Sequence, residues 1–306
     1  MTQVPLGITV AVGLAAALDW ILREPPADYH PVTLFGGAVD RLAARPWRSP
    51  RLAGAALAVA LPAGVAVLVY LPLRATRPLP GIVVATLAGL VLWTTTSLRL
   101  PVEVGDRAVA ETITDPDAAR EALEALGGRD AGALSPPHVR SAAVESLAEN
   151  LSDGLVAPLL AFAVVAPVSL SAGAAASASV KAVNTMDSTV GNPDEFGWGS
   201  ARLDDAVMVV PARLTAVLLG PVAGDPEAAW RARRYADVSA SPNAGWPMGT
   251  LAAALDVRLE KPDAYVLNDV ADLPTVGDGE RALAAVKRAG FVAYAAVAGL
   301  GVLLWL

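Results

Sequence analysis

Six apolar runs long enough, or nearly so, to cross a bilayer restrict this chain more than any other feature. They are Leu6–Leu22, Leu52–Leu73, Pro80–Leu98, Leu155–Val180, Ala206–Val222 and Phe291–Leu306. About 20 apolar helical residues span the hydrocarbon of a membrane. The runs therefore predict an all-α fold: a polytopic α-helical integral membrane protein with about 4–6 apolar segments, residues 1–306 forming one membrane-embedded domain. Composition agrees, since 54% of residues are hydrophobic and only 17% charged, against about 25% charged in a soluble domain. The first run lacks a basic start. Asp19 and Trp20 stand where a small-residue cleavage site belongs, so it reads as a retained segment rather than a signal peptide.

The polar stretches between the runs are 23–51, 99–154, 181–205 and 223–290. Arg23, Arg41, Arg45, Arg48 and Arg51 make the first one basic, which favours the cytoplasmic side. The turn Arg74–Pro78 then lies outside, and 99–154 inside. Segments 99–154 and 223–290 are expected to form a cytoplasmic cap over the site. Within the first of these, Asp117–Leu126 has helical periodicity and ends at Gly127-Gly-Arg-Asp130. A second helix opens after Ser135 at Pro136-Pro137 and runs to Asn150. If 155–180 crossed fully, Glu149 and Lys181 would lie on opposite sides of the membrane. Pro158, Pro167 and the small-residue run Ser169–Ser179 instead predict a hairpin or broken helix that returns Lys181 to the side of Glu149.

Charged groups at the edges of these runs are expensive unless paired or wet, so they mark candidate sites. Glu145, Glu149 and Asp153 recur every four residues on one helical face, where like charges repel unless a cation compensates. Oxygen donors of this kind suit Mg²⁺. Lys181 is a point cation suited to phosphate, and Asn184 and Asp187 follow at helical spacing. Trp198 precedes Arg202, Asp204, Asp205 and Arg213, which alternate in sign; an Arg fork matches phosphate or carboxylate, with structural ion pairing the competing role. Ser241-Pro-Asn-Ala-Gly-Trp-Pro247 reads as a rigid turn presenting Asn243 and Trp246. His30-Pro31 is another turn, and His138 reads as structural.

Absences narrow the chemistry. With no Cys there are no disulfides or thiolate metal sites, and two His cannot build a His-rich zinc site. A net charge of −7 argues against nucleic acid as a partner. Only 3 Lys stand beside 20 Arg, and Asp outnumbers Glu 19 to 11, which fits a high-salt cytoplasm or a GC-rich codon bias. Neither a Walker-type loop nor G-x-G-x-x-G occurs, so any nucleotide is held in another way.

In order, these motifs resemble the CbiB/CobD family, the integral membrane adenosylcobinamide-phosphate synthases of cobalamin biosynthesis. The likeness is carried by Asp19…Glu24-Pro25…His30-Pro31-Val32, Gly128-Arg-Asp130, Glu145-Ser-Leu-Ala-Glu149-Asn150…Asp153-Gly154 and Lys181-Ala-Val-Asn184-Thr185-Met-Asp187-Ser188. It continues through Phe196-Gly-Trp198…Ala201-Arg-Leu-Asp204-Asp205…Pro211-Ala-Arg213-Leu214 and Ser241-Pro-Asn243-Ala-Gly245-Trp-Pro247. Glu24, Ser239 and Met248 depart from the commonest pattern and look like an archaeal-type variant.

The resemblance implies a carbon–nitrogen ligase that joins aminopropanol, or its O-phosphate, to a propionate carboxylate of adenosylcobyric acid, using ATP and Mg²⁺. A carboxylate is unreactive toward an amine, so ATP is expected to activate it as an acyl phosphate, with catalysis mainly by positioning and charge neutralisation. On residue chemistry, Glu149, Asp153 and Asp187 are assigned to the metal, and Lys181 and Arg202 to phosphates. Asp204 or Asp205 takes the amine proton or completes the metal shell. Asn150, Asn184, Asn243, Trp198, Trp246, His30 and Arg213 are the substrate contacts. The expected location is the cell membrane with a cytoplasmic site, and the expected partners are the bilayer and late-pathway cobalamin enzymes. A corrinoid or cation transporter is the rival from another class, and a non-catalytic scaffold the third reading.

Overall fold

A computed structural model describes residues 3–127, 131–191 and 195–304. In chain order its helices are α1 Gln3–Leu22, α2 Pro31–Ala43, α3 Pro50–Ala75, α4 Gly81–Thr95, α5 Arg99–Thr114, α6 Pro116–Gly127 and α7 Pro136–Asn150. A π-helical turn, Leu151–Val156, follows, and then α8 Ala157–Val165, α9 Leu170–Val190, α10 Trp198–Val207 and α11 Val209–Val222. The short α12 Ala228–Arg231, α13 Gly245–Leu255 and the long α14 Val276–Leu303 complete the set. The one sheet among the described residues is a hairpin of β1 Leu259–Lys261 and β2 Tyr265–Leu267, antiparallel with Glu260 opposite Val266. The chain is thus a polytopic α-helical membrane protein, as its apolar runs predict.

Five helical stretches are long and apolar enough to cross a membrane: Val4–Leu22, Pro50–Ala75, Gly81–Ala110, Pro136–Val165 and Val276–Leu303. The broken pair α10–α11 makes a sixth if it counts as one span. Two expected boundaries move. The run 155–180 divides, its first part belonging to a stretch that begins at Pro136 and its second part to α9. Residues 291–304 form the second half of a helix that begins at Val276, so the last anchor is longer than its apolar tail suggests. Gly127 ends α6 as expected, while Gly128-Arg-Asp130 lies outside the described residues.

The chain divides into two compact units. The first comprises Met1–Ser97, Asp153–Met208 and Ala293–Leu306. Here α1 packs along α4, and α3 along α9. Small residues permit the first approach: a Cβ on Gly89 would stand 2.8 Å from the carbonyl oxygen of Ala11. The end of α14 is tied to α1 by Thr9, whose hydroxyl donates to the Ala298 carbonyl at 2.8 Å. A turn at Ala166–Val168 reverses the chain so that α9 runs back along α8. The C-terminal end of α9 is anchored by a core of Val39, Ala58, Met186, Val190 and Phe196.

The second unit comprises Leu98–Ser152 and Val209–Val292, which takes in most of the polar stretches 99–154 and 223–290. In it α5, α6 and α7 pack together, and α13 packs on α7, α11 and α12. The hairpin is pinned to α7: the Glu260 amide donates to the Ser141 hydroxyl at 2.7 Å. Arg140 on the same helix donates to the Pro274 carbonyl at 2.6 Å and to the Thr112 hydroxyl at 3.0 Å.

Candidate functional site

In the first unit, the chain reversal after α8 lays α9 back along α8. Asp153 sits in the π-helical turn, and the returning α9 brings Asn184 to it, the amide donating to Asp153 Oδ2 at 3.5 Å. A π turn inserts an extra residue per turn and recurs at functional sites. Glu145 turns out to have a separate, structural environment, described below.

Around the turn four carboxylates act on one another. Asp204, 8% exposed, feels Asp153, Asp187 and Asp205, and the Asn184 amide also acts on it. The Oδ1 atoms of Asp187 and Asp204 are buried and have no hydrogen-bond partner among the described residues. Gly191 packs against the Asp187 carboxylate so closely that any Cβ there would overlap it. Asp187 lies outside the stretches counted as spans. Burial, reinforced by the Asp205 and Asp153 carboxylates, pushes it up to about 6. Lys181 is the nearby cation, on which Glu24 acts most strongly, followed by Asp153 and Asp204.

Two predicted residues have structural duties as well. His30, 7% exposed, caps α2: its Nδ1 accepts from the Val32 amide at 3.2 Å, while Nε2 faces Glu24 Oε2 at 3.7 Å. A ring that accepts at Nδ1 is neutral. Burial depresses its pKa, with Lys181 acting in the same direction and Glu24 opposing. Arg202 is exposed and pairs with Asp205 at 3.5 Å, one turn away on α10. Trp198 is covered by Arg51, whose guanidinium stands 4.4 Å from the ring centroid. Glu24 and Arg51 are members of these clusters that residue-type reasoning did not select. The Glu24-Pro25 motif was the available signal for the first, and nothing in the sequence pairs Arg51 with Trp198.

The second unit holds the rest of the predicted set. On α11, Arg213 donates to the Val209 carbonyl at 2.8 Å and to Asn243 Oδ1 at 3.1 Å, and its guanidinium lies 4.8 Å from the Trp246 centroid. Arg213, predicted apart from the turn that carries Asn243 and Trp246, thus forms one cluster with them. The turn presenting them is shorter than its composition suggests, because Trp246 and Pro247 already belong to the first turn of α13. The Trp246 Nε1 is buried with no partner among the described residues. Asn150 donates to the carbonyls of Ser146 at 2.8 Å and Leu126 at 3.2 Å, and Glu149 precedes it on α7.

No three His, Asp or Glu side chains among the described residues are arranged as a complete metal site. Magnesium does not demand one: it is usually held by one or two carboxylates, with water and substrate phosphates filling the octahedron. Two buried, unpartnered carboxylate oxygens beside a lysine fit that pattern, with oxygen as the only donor type.

A helical membrane protein with a compact acid–lysine–asparagine cluster at a π-helical turn is the class that fold and site define. The sequence model of the CobD/Cbib protein family matches residues 12–293, and the chain belongs to that family. It is 38% identical to the "Cobalamin biosynthesis protein CobD" of Rhodobacter capsulatus, the match covering 97% of each chain. The protein of the same name from Mycobacterium tuberculosis is 38% identical, over 96% of this chain and 94% of the other. A "Probable cobalamin biosynthesis protein CobD" from Methanothermobacter thermautotrophicus is 35% identical over 90% of both. No solved structure matches the chain.

Proposed function

We propose that this protein acts in cobalamin biosynthesis, as the names of its full-length relatives state of those proteins. Within that role, we infer ATP- and Mg²⁺-dependent formation of an amide between aminopropanol, or its O-phosphate, and a propionate of adenosylcobyric acid. The observation that carries the finer reading is the convergence of Asp153, Asn184, Asp187 and Asp204 beside Lys181, with two carboxylate oxygens buried and unpartnered. Burying such groups without partners is costly, and a divalent cation carrying phosphate would satisfy acids and lysine together.

ATP, when bound with its metal, would supply the driving force that turns an unreactive carboxylate into an acyl donor. The chain's own residues would do the rest. Asp153 and Asp187 would hold the metal in the first unit, with the Asp204 carboxylate beside them adding the negative charge that retains the ion and standing ready to receive the amine proton. Lys181 neutralises a phosphate, and Asn184 fixes the carboxylates by its amide. Arg202 exchanges Asp205 for an incoming anion, Trp198 bounds the substrate, and His30 holds the start of α2 in place. In the second unit Glu149 remains a proposed metal ligand, and Asn150, Arg213, Asn243 and Trp246 proposed substrate contacts. A multi-pass place in the cell membrane, with the site on the cytoplasmic face, completes the proposal.

The test is product formation. Purified protein is incubated with adenosylcobyric acid, ATP, Mg²⁺ and either amine, and products are followed by mass spectrometry. An amide formed only with ATP, and lost in Asp187→Asn and Lys181→Ala, is the expected result. Full activity in both variants would remove the residue assignment. Corrinoid flux in sealed vesicles without amide formation would replace the ligase with a transporter.

A further inference from the structure

The proposed reaction leaves one feature of the first unit unused. A cavity of about 390 Å³ lies among α2, α3, α4 and α9. Its walls are largely apolar, with Phe35 on α2 and Val65, Leu68 and Val69 on α3. Helix α3 is one of the membrane-length helices, and Leu68 is 74% exposed on it, so this wall borders the surface that hydrocarbon would cover.

Four lining residues carry side-chain polar groups, and three of them are already satisfied. Thr94 donates its hydroxyl to the Val91 carbonyl at 2.9 Å, and Thr185 to the Lys181 carbonyl at 2.8 Å. Thr95 bonds the Leu92 carbonyl at 3.1 Å and shares a bond with Ser177 at 2.9 Å. Lys181 is the fourth. Its ammonium makes no hydrogen bond or ion pair among the described residues and acts on Glu24, Asp153 and Asp204 only through space. An apolar chamber bordering the lipid-facing surface, with a single unpaired cation in its lining, is complementary to an amphiphile with an anionic head. A small soluble anion would satisfy the lysine and leave the apolar walls wet.

We infer that this cavity holds one acyl chain of an anionic phospholipid, its phosphate against Lys181. The site shares Lys181 with the phosphate role proposed above. Its test reads lipid retention rather than turnover, so either reading can fail alone.

The full chain in detergent is mixed with phosphatidylglycerol or phosphatidylcholine of identical chains and examined by native mass spectrometry at rising collision energy. The last lipid retained is expected to be phosphatidylglycerol, at about fivefold the occupancy of phosphatidylcholine, the preference one lysine supplies. Lys181→Met should erase the preference while keeping a lipid, and Val69→Trp should expel lipids of both kinds. Val65→Trp fills the same wall and serves if Val69→Trp fails to keep wild-type helicity by circular dichroism. Equal retention of the two lipids, a preference that survives Lys181→Met, or a lipid retained in a folded Trp variant would each overturn the site. Inorganic phosphate bound through Lys181, with no preference for phosphatidylglycerol, would assign the cation to a free anion instead.

Discussion

Glu145 and Asp204 are both buried carboxylates in a very apolar chain, and their surroundings are opposite. Glu145, fully buried in the second unit, accepts from the Tyr265 hydroxyl at 2.7 Å and from Ser141 at 3.1 Å. Its partners come from β2 and from its own helix, so its charge helps hold the hairpin against α7. Asp204 in the first unit has one oxygen without a partner and three acidic neighbours. A buried charge that is satisfied is architecture, whereas one left among like charges is a place prepared for a cation. The same carboxylate chemistry thus has a satisfied, structural setting in one unit and an unsatisfied one in the other, and it is the unsatisfied one that we propose to be functional.

That contrast can be broken experimentally. The largest expected effect is on activity: Asp204→Asn should lower the rate of amide formation by about a hundredfold or more, the scale of losing one preorganised charge. Its thermal midpoint should hold or rise, since a repulsion is removed. Kinetics beside a thermal melt would expose the failure, namely a variant that is active or unfolded. Glu145→Ala should do the reverse, costing about 1–3 kcal/mol of stability by stranding the Tyr265 and Ser141 hydroxyls. Activity per folded molecule should stay near wild type at low temperature. Tyr265→Phe removes a single bond to the same carboxylate and should cost about 1–2 kcal/mol, measurable as a smaller drop in midpoint.

The smallest effect concerns His30. Its pKa is depressed in the folded chain, so on acidification the unfolded chain takes the proton first. Stability from this residue is therefore present above its ordinary 6.5 and declines as pH falls below it. His30→Asn keeps a side-chain acceptor at the cap and should flatten the part of the pH–stability curve that falls below 6.5. An unchanged curve would show that another group governs it.

Much of this organisation was legible in the chain. Apolar length gave the membrane helices, and the prolines and small residues of 158–179 gave the chain reversal that returns Asn184 to Asp153. The Arg213, Asn243 and Trp246 cluster could be picked out by residue type, although only tertiary packing shows that the guanidinium lies on the indole. Other features were out of reach. A π-helical turn leaves no period of its own in six residues, so the turn that carries Asp153 had no signature in the chain. The partner of Glu145 lies 120 positions away, in a strand of three residues that no alternation pattern can reveal. The cavity beside Lys181 depends on how four helices leave space between them, which no single helix records.

The most direct test of the satisfied–unsatisfied distinction uses Mn²⁺ as a spectroscopic substitute for Mg²⁺. Electron paramagnetic resonance would count the ions bound in the presence of ATP to the wild type, Asp204→Asn and Glu145→Gln. The account predicts Mn²⁺ held by the wild type and by Glu145→Gln, with a clear loss in Asp204→Asn. Equal binding by all three, or a loss confined to Glu145→Gln, would contradict it.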